Sequence, residues 1–420
     1  MVSHSTKKYS SPLVGLGLIL FSCIIFLIIA ELSLRAVYVM PQSLANYYPL
    51  QAAKLGKIIQ VRQYEFETQH RYNPQGFRDK AISREKKTGF KRILFVGDSF
   101  TEGYGVREDS RFSNRLVEML GSGYEGINVG QLATNPEHYF DNIAKFGIAL
   151  RPDLIVMGIF LGNDFMGGRG LPEPGGYKVE QQLPLEESFS IRDVVKLKYV
   201  HTLWQQVREG KPLLMLKQDV ESRGFWELYF NQPISKEFHA RNLRLTSEQL
   251  DKVTRGFNRV IVQQIYEGKI NTGIFGEAIN NQLKIKQQEP YYSNDDYKRE
   301  YAYIKEAYKI TTEHGIRFLA LIIPDINQVH PTELKEMLKR DFLLEELPSR
   351  LHQLEEFRSR LHIDFEKDHV PYIDATQALK RFGKTTYYLY DNHMNKLGHE
   401  IVSRVLFPEV GQMLANTIAK

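Results

Sequence analysis

Five short apolar runs, each closed by a turn signal and separated by helix-like segments, constrain the fold of this chain more than any other feature. Residues 93–96 (Ile-Leu-Phe-Val) form the first and 127–129 a shorter second. Residues 154–161 follow directly on Arg151, Pro152 and Asp153, residues 318–323 stop at Pro324, and 370–373 form a weaker fifth. Continuous apolar runs of this length read as strands buried on both faces, the habit of parallel sheets. Helical patterns lie between them at 109–120, 136–150 and 296–314. Asn135 is placed to cap the second with Pro136 at its first position, and Gly315 to stop the third. This alternation implies an α/β fold, with a parallel sheet covered by helices on both faces.

Two stretches break the pattern. Residues 36–90 read as a polar, weakly patterned connector, in which Tyr72-Asn-Pro-Gln-Gly-Phe-Arg78 carries turn residues and wraps the domain edge. Residues 166–295 open with a Gly/Pro-rich loop at 167–176 and continue with helical patterns at 191–207 and 247–268. Inserted after the third strand, this segment is expected to hang over the carboxyl end of the sheet as a cap.

The N-terminus reads as a membrane anchor. Residues 9–30 carry no charge, and a spanning helix needs about 20 apolar residues. Lys7 and Lys8 precede the run and Glu31 and Arg35 follow it, which puts the short tail in the cytoplasm and the rest outside, periplasmic or extracellular. A cleaved signal peptide is the competing reading, but the run exceeds a usual h-region and no clear small-x-small site closes it. Leu20-Phe-Ser-Cys23 faintly resembles a lipoprotein box, although the apolar run continues past the cysteine. The chain thus divides into tail and anchor (1–35), connector (36–90) and a main domain (91–415) that holds the insertion.

Composition narrows the chemistry. Cys23 is the sole cysteine, so the body has no disulfide, thiol nucleophile or Cys-based metal site. A net charge of +5 over 420 residues, without a long Lys/Arg run, points away from a nucleic-acid partner. The 23 Tyr and 24 Phe fit a large core.

Four pieces could carry a reaction: Gly97-Asp98-Ser99 after the first strand, Asn128-Val-Gly-Gln-Leu-Ala133 after the second, Gly162-Asn163-Asp164 after the third, and Asp391-Asn-His393 near the C-terminus. In open α/β sheets ligands bind outside the carboxyl ends of the strands, where the first three would meet. Alone, each reads blandly: Ser99 as a helix cap, Asn163 as a turn residue, His393 as a satisfied polar side chain. Their joint order is what points to serine-based acyl chemistry. A serine hydroxyl needs an adjacent base, and an unperturbed imidazole titrates near neutral pH.

Together the pieces resemble the SGNH, or GDSL, hydrolase family over residues from about 90 to 165 and about 300 to 415, excluding the insertion. Gly97-Asp98-Ser99 with Phe100-Thr-Glu-Gly103 looks like the family's nucleophile block. Gly162-Asn163-Asp164 looks like its asparagine block, and Asp391-Asn-His393, with Asn395 and Gly398 behind it, like its terminal block. The resemblance implies a flavodoxin-like three-layer α/β/α sandwich, to which the chain adds the N-terminal transmembrane helix and the helical insertion read above from its own pattern. It also implies a triad of Ser99, His393 and Asp391. Oxyanion donors would be the Ser99 N–H, the Ala133 or Gly130 N–H, and the Asn163 amide; Asp98 braces the turn and His399 has no role. Two departures stand out. The oxyanion glycine of the second block is replaced by Ala133, with Gly130 three residues earlier. The acid stands two residues before the histidine, not three, where Tyr390 is found.

The expected function is a serine esterase cleaving an acyl ester of a glycan or lipid, without cofactor or metal. Its rivals are an O-acyltransferase acting on an envelope glycan and a non-catalytic glycan-binding component. A metallophosphoesterase built on Asp98, Asn163, Asp391 and His393 is the other chemistry these residue types allow.

Overall fold

The computed structural model describes residues 12–39, 58–73, 77–132, 134–165, 197, 200, 203–204, 215–216, 236–243, 245–270, 275–276, 278–279, 282–283, 293–344, 350–382 and 385–415. Among them are nine strands: β1 (Tyr38–Val39), β2 (Ile58–Arg62), β3 (Glu67–Arg71), β4 (Lys91–Val96), β5 (Tyr124–Asn128), β6 (Leu154–Phe160), β7 (Met215–Leu216), β8 (Arg317–Ile323) and β9 (Tyr372–Asp374). The chain divides into two compact units, residues 1–47 with 186–223, and residues 48–185 with 224–420.

In the first unit the helix Pro12–Val37 covers most of the uncharged segment and runs into β1, which pairs antiparallel with β7. Its side chains are described over 19–34, where Ile19, Phe21, Ile24, Phe26 and Ile29 are more than half exposed. Among the described residues no helix is long and apolar enough to cross a membrane.

The second unit is built on a parallel sheet in the order β5-β4-β6-β8-β9. All five expected strands are in it. Counted along the chain this is the order 2-1-3-4-5, so the winding reverses between β4 and β6, where doubly wound sheets open a crevice. Alternate residues feed two separate apolar cores. Ile93, Phe95, Leu154, Val156, Leu319 and Leu321 face one; Leu94, Val96, Ile155, Met157, Phe318 and Ala320 face the other. The helices Phe112–Leu120, Pro331–Phe342 and Lys396–Ala415 fill the first core, and Pro136–Asn142, Asn294–Glu313 and Arg350–Lys367 the second. Period-2 strands between two helical layers give the α/β/α sandwich.

Helix ends follow their expected residues with shifts. Residues Glu108–Ser110 form a tight 3₁₀ turn ahead of Phe112–Leu120. Asn135 takes the extended cap conformation with Pro136 at the first position, but its side chain donates to Glu300 (3.1 Å) and does not cap the helix. Gly315 adopts the left-handed conformation (φ 68°) one residue beyond His314.

Two stretches outside the sheet hold defined elements. The stretch 36–90 is not featureless: β2 and β3 pair in register from Ile58↔Arg71 to Arg62↔Glu67, a hairpin closed by Gln63 N–H to the Phe66 carbonyl (2.8 Å). Within 166–295, the helices Lys236–Asn242, Ser247–Thr254 and Arg259–Tyr266 bury Ala240, Leu250, Ile261 and Ile265 in the same core as the first face of the sheet. Asn258 fastens them to the helix Pro331–Phe342, its amide on the Asp341 carbonyl (2.9 Å) and its side chain on the Asp341 carboxylate (2.8 Å). The loop 167–176 and most of 191–207 lie outside the described residues.

Candidate active site

β4 ends at Val96, and Gly97 then lets the chain turn. A side chain at 97 would put its Cβ 2.1 Å from Thr101 Oγ1 and 3.0 Å from the Gly158 carbonyl, closer than non-bonded atoms allow. Asp98 caps the short helix Ser99–Glu102 by accepting the Phe100 N–H (2.9 Å), so it braces the turn. Gly103, in the left-handed conformation (φ 83°), ends that helix after one turn. Ser99 is thereby fixed at the carboxyl end of β4, beside the β4/β6 reversal.

The histidine arrives from the other end of the chain. Asn392 N–H donates to the Tyr388 carbonyl (2.9 Å) and Tyr388 N–H to the His393 carbonyl (2.9 Å), a tight turn with Asn392 in the left-handed region (φ 71°). Behind it, Asn395 Oδ1 accepts from Leu397 N–H (2.9 Å) and starts the last helix. The turn points Asp391 and His393 to the same side. His393 Nε2 lies 2.8 Å from Ser99 Oγ, and His393 Nδ1 lies 2.7 Å from Asp391 Oδ1. A carboxylate only accepts, so it holds the ring proton on Nδ1 and leaves Nε2 to accept from the serine hydroxyl. The imidazole sits between two rings, Phe100 (centroids 5.0 Å apart) and Tyr104 (4.7 Å). Burial by itself pulls the His393 pKa down; the charge and hydrogen bond of Asp391, helped by Asp98 and Glu102, outweigh it and leave the group above its ordinary value.

Two buried acids stand behind the serine. Burial pushes the Asp98 carboxyl up to about 7, against the pull of the Phe100 N–H and His393. Burial, with the Asp98 charge next, holds Asp164 well above the carboxylate range. Asp164 accepts from Tyr139 O–H (2.8 Å) and Phe160 N–H (2.8 Å), so it closes the turn after β6 and is not aimed at a substrate.

The oxyanion donors differ in what they already hold. Gly130 N–H donates to Asn128 Oδ1 (2.9 Å). Its neighbours are also engaged: Val129 N–H on the Phe95 carbonyl (2.9 Å), Gln131 N–H on the Gly97 carbonyl (2.9 Å), and Leu132 N–H on Glu102 Oε2 (2.8 Å). Glycine is needed at 130 on steric grounds, since a Cβ would lie 2.4 Å from the Glu102 amide nitrogen. Ala133, the other candidate, lies outside the described residues. The Ser99 N–H opens its helix and has no partner within it. Asn163, exposed in the turn after β6, is at the same sheet edge.

His399 is buried and accepts the Phe112 N–H on Nδ1 (3.3 Å), and burial beside Arg111 and Arg78 lowers it to about 3. It is a neutral structural group. Among the described residues no cluster of three or more His, Cys, Asp or Glu side chains is placed to hold a metal ion.

Sequence reasoning missed Glu65. Lying in the β2–β3 turn, its carboxylate accepts from three successive amides, Leu389 N–H (2.8 Å), Tyr390 N–H (2.8 Å) and Asp391 N–H (3.1 Å). It also missed Arg78 and Arg111, both fully buried. Arg78 donates to the carbonyls of Gly103 (2.5 Å) and Val106 (2.6 Å), pinning the chain just past the serine helix. Tyr72-to-Arg78, read as an edge wrap, thus ends in a core residue.

No protein-family model and no curated protein matches the chain. Solved structures do. A GDSL-like lipase from Bacteroides thetaiotaomicron is 10% identical, with a TM-score of 0.35, over 79% of this chain and 92% of its own. A catalytic mutant of an acetylxylan esterase from Geobacillus stearothermophilus is 10% identical (TM-score 0.36; 78% and 97%). A carbohydrate acetylesterase family member from Sinorhizobium meliloti is 13% identical (TM-score 0.31; 78% and 100%). A likeness of this size does not define an activity; the site's own geometry has to carry one.

Proposed function

We propose that this protein is a serine esterase that cleaves an acyl ester through an acyl-Ser99 intermediate. One observation carries the reading: the unbroken path from Ser99 Oγ to His393 Nε2 (2.8 Å) and from His393 Nδ1 to Asp391 Oδ1 (2.7 Å), at the reversal point of the sheet. Ser99 Oγ attacks the ester carbonyl while His393 Nε2 takes its proton. Asp391 holds the tautomer and stabilises the imidazolium. The tetrahedral oxyanion collapses, the alcohol leaves with the proton returned by His393, and a water activated by the same base releases the acid. The Ser99 N–H, Ala133 N–H and Asn163 side-chain amide are the proposed oxyanion donors; losing one such donor costs about 10²–10³ in rate. The substrate is an O-acylated glycan or a lipid, reached by an enzyme anchored through residues 9–30 with its catalytic domain outside the cytoplasm.

The test is hydrolysis of p-nitrophenyl acetate and longer esters by the full chain beside Ser99→Ala and His393→Ala. Turnover should fall by about 10⁴-fold or more in both, with no loss on chelation. Equal turnover in Ser99→Ala sinks the acyl-serine reading, and an acylated sugar formed with a glycan acceptor would reassign the chemistry to transfer.

A further inference from the structure

The tip of the β2–β3 hairpin meets the turn that carries the acid and base at three successive residues. Tyr64 packs edge-on against Tyr390 (centroids 5.1 Å apart), and Phe66 lies against Tyr388 (4.8 Å) and Tyr104 (5.4 Å). Between them the Glu65 carboxylate collects the amides of Leu389, Tyr390 and Asp391. The tip is itself held, with Tyr64 N–H on the Lys269 carbonyl (3.0 Å).

The turn it grips is under strain. Asn392 is a non-glycine residue at φ 71°, and its buried Oδ1 has no hydrogen-bond partner. A left-handed non-glycine residue costs of order 1–3 kcal/mol and persists only where its surroundings over-determine it. Three amides donating to one charged oxygen pair is a strong arrangement, since charge-assisted hydrogen bonds are roughly twice as strong as neutral ones.

We propose that Glu65 is a positioning residue for this site, acting through Asp391: its carboxylate holds the strained 388–393 turn in the conformation that seats Asp391 on His393 Nδ1. The inference rests on the triad reading above for its catalytic consequence but not for its structural one. Glu65 also lies near enough to Asp391 to feel its charge, and burial raises its own carboxyl above the ordinary range.

The experiment uses the full chain as Glu65→Gln, Glu65→Asp and Glu65→Ala. Glu67→Gln serves as control, since Glu67 lies on the same hairpin and faces Arg62 and Gln60 at the surface. Two quantities are read: kcat and KM for p-nitrophenyl acetate, and the downfield proton resonance of the His393 Nδ1–H donated to Asp391. Glu65→Gln should lower kcat by roughly 10–100-fold with KM within about twofold, the size of effect expected from a misplaced catalytic group, and should shift or broaden the resonance. Glu65→Asp should recover part of what Glu65→Ala loses, and Glu67→Gln should change neither. In the Asp391→Asn background, Glu65→Gln should add less than about a further twofold, because residues acting as one unit are not additive. An unchanged resonance in Glu65→Gln, or a fully additive loss on top of Asp391→Asn, overturns the proposal. A wild-type chain with no turnover but a resonance that responds to Glu65→Gln overturns the esterase reading and leaves the positioning role standing.

Discussion

His393 has two opposing influences on its proton, and their balance sets a testable sign. Burial between Phe100 and Tyr104 disfavours the charged ring, while the Asp391 carboxylate at 2.7 Å favours it and wins. The reaction needs Nε2 unprotonated, so activity is present above the folded pKa and lost as pH falls through it. Because that pKa is raised, the acid limb of kcat/KM should lie above the ordinary imidazole value of about 6.5. Asp391→Asn removes the main influence that raises it. The limb should then move to lower pH while the plateau falls by about 10⁴-fold, since the amide favours the wrong tautomer. A pH–rate profile of both proteins decides the point: a limb that stays in place in Asp391→Asn means that another group is the base.

At the scale of elements, the site is a junction of the β4 end, the loop after β5 and the turn before the last helix. Gly130 is where the first two touch. Its Cβ, if present, would lie 2.4 Å from the Glu102 nitrogen and 2.8 Å from the Thr101 carbonyl carbon, and backbone atoms in a short helix have little room to retreat. Gly130→Ala should therefore cost about 1–3 kcal/mol of stability and displace Ser99 enough to lower kcat about tenfold or more. Urea unfolding and steady-state kinetics on one preparation check both, and a wild-type kcat would show that the helix yields without moving Ser99. The same junction shows what could be read in advance. The inner strands β4, β6 and β8 announce themselves because both of their faces are buried, so apolar residues dominate them; β5 and β9 at the sheet edges are partly exposed and carry only a shorter and a weaker run. Gly97-Asp98-Ser99, Gly162-Asn163-Asp164 and Asp391-Asn-His393 are visible because each sits where such a run, or a turn signal, stops. The hairpin is not, because Glu-Thr-Gln-His-Arg in β3 alternates in burial while every residue is polar; Thr68 and His70 face inward without an apolar signal. Glu65 shares this opacity: its partners are backbone amides more than 300 positions away along the chain, which no local pattern encodes. Arg78 and Arg111 hide for the same reason, since buried arginines bonded to carbonyls look like surface arginines in a sequence.

At the scale of the whole molecule, the parallel sheet and the N-terminal helix differ in what covers their apolar side chains. The sheet puts its two apolar cores under helices, whereas the helix Pro12–Val37 leaves Ile19, Phe21, Ile24, Phe26 and Ile29 more than half exposed. An apolar surface of that kind in contact with water is unfavourable by about 25 cal/mol per Å², so a lipid phase is the proposed partner. Lys7 and Lys8 ahead of it would add attraction to anionic headgroups, but only within about a Debye length, and salt would screen it. The two contributions therefore separate experimentally. The full chain mixed with phosphatidylcholine vesicles, which carry no net charge, should float with them in a density gradient, and should still do so at 1 M salt, where the Debye length falls to about 3 Å. Flotation abolished by salt would reduce the N-terminus to an electrostatic contact. A chain that stays at the bottom of the gradient under both conditions would remove the anchor, and with it the reason for placing the esterase chemistry at an envelope surface.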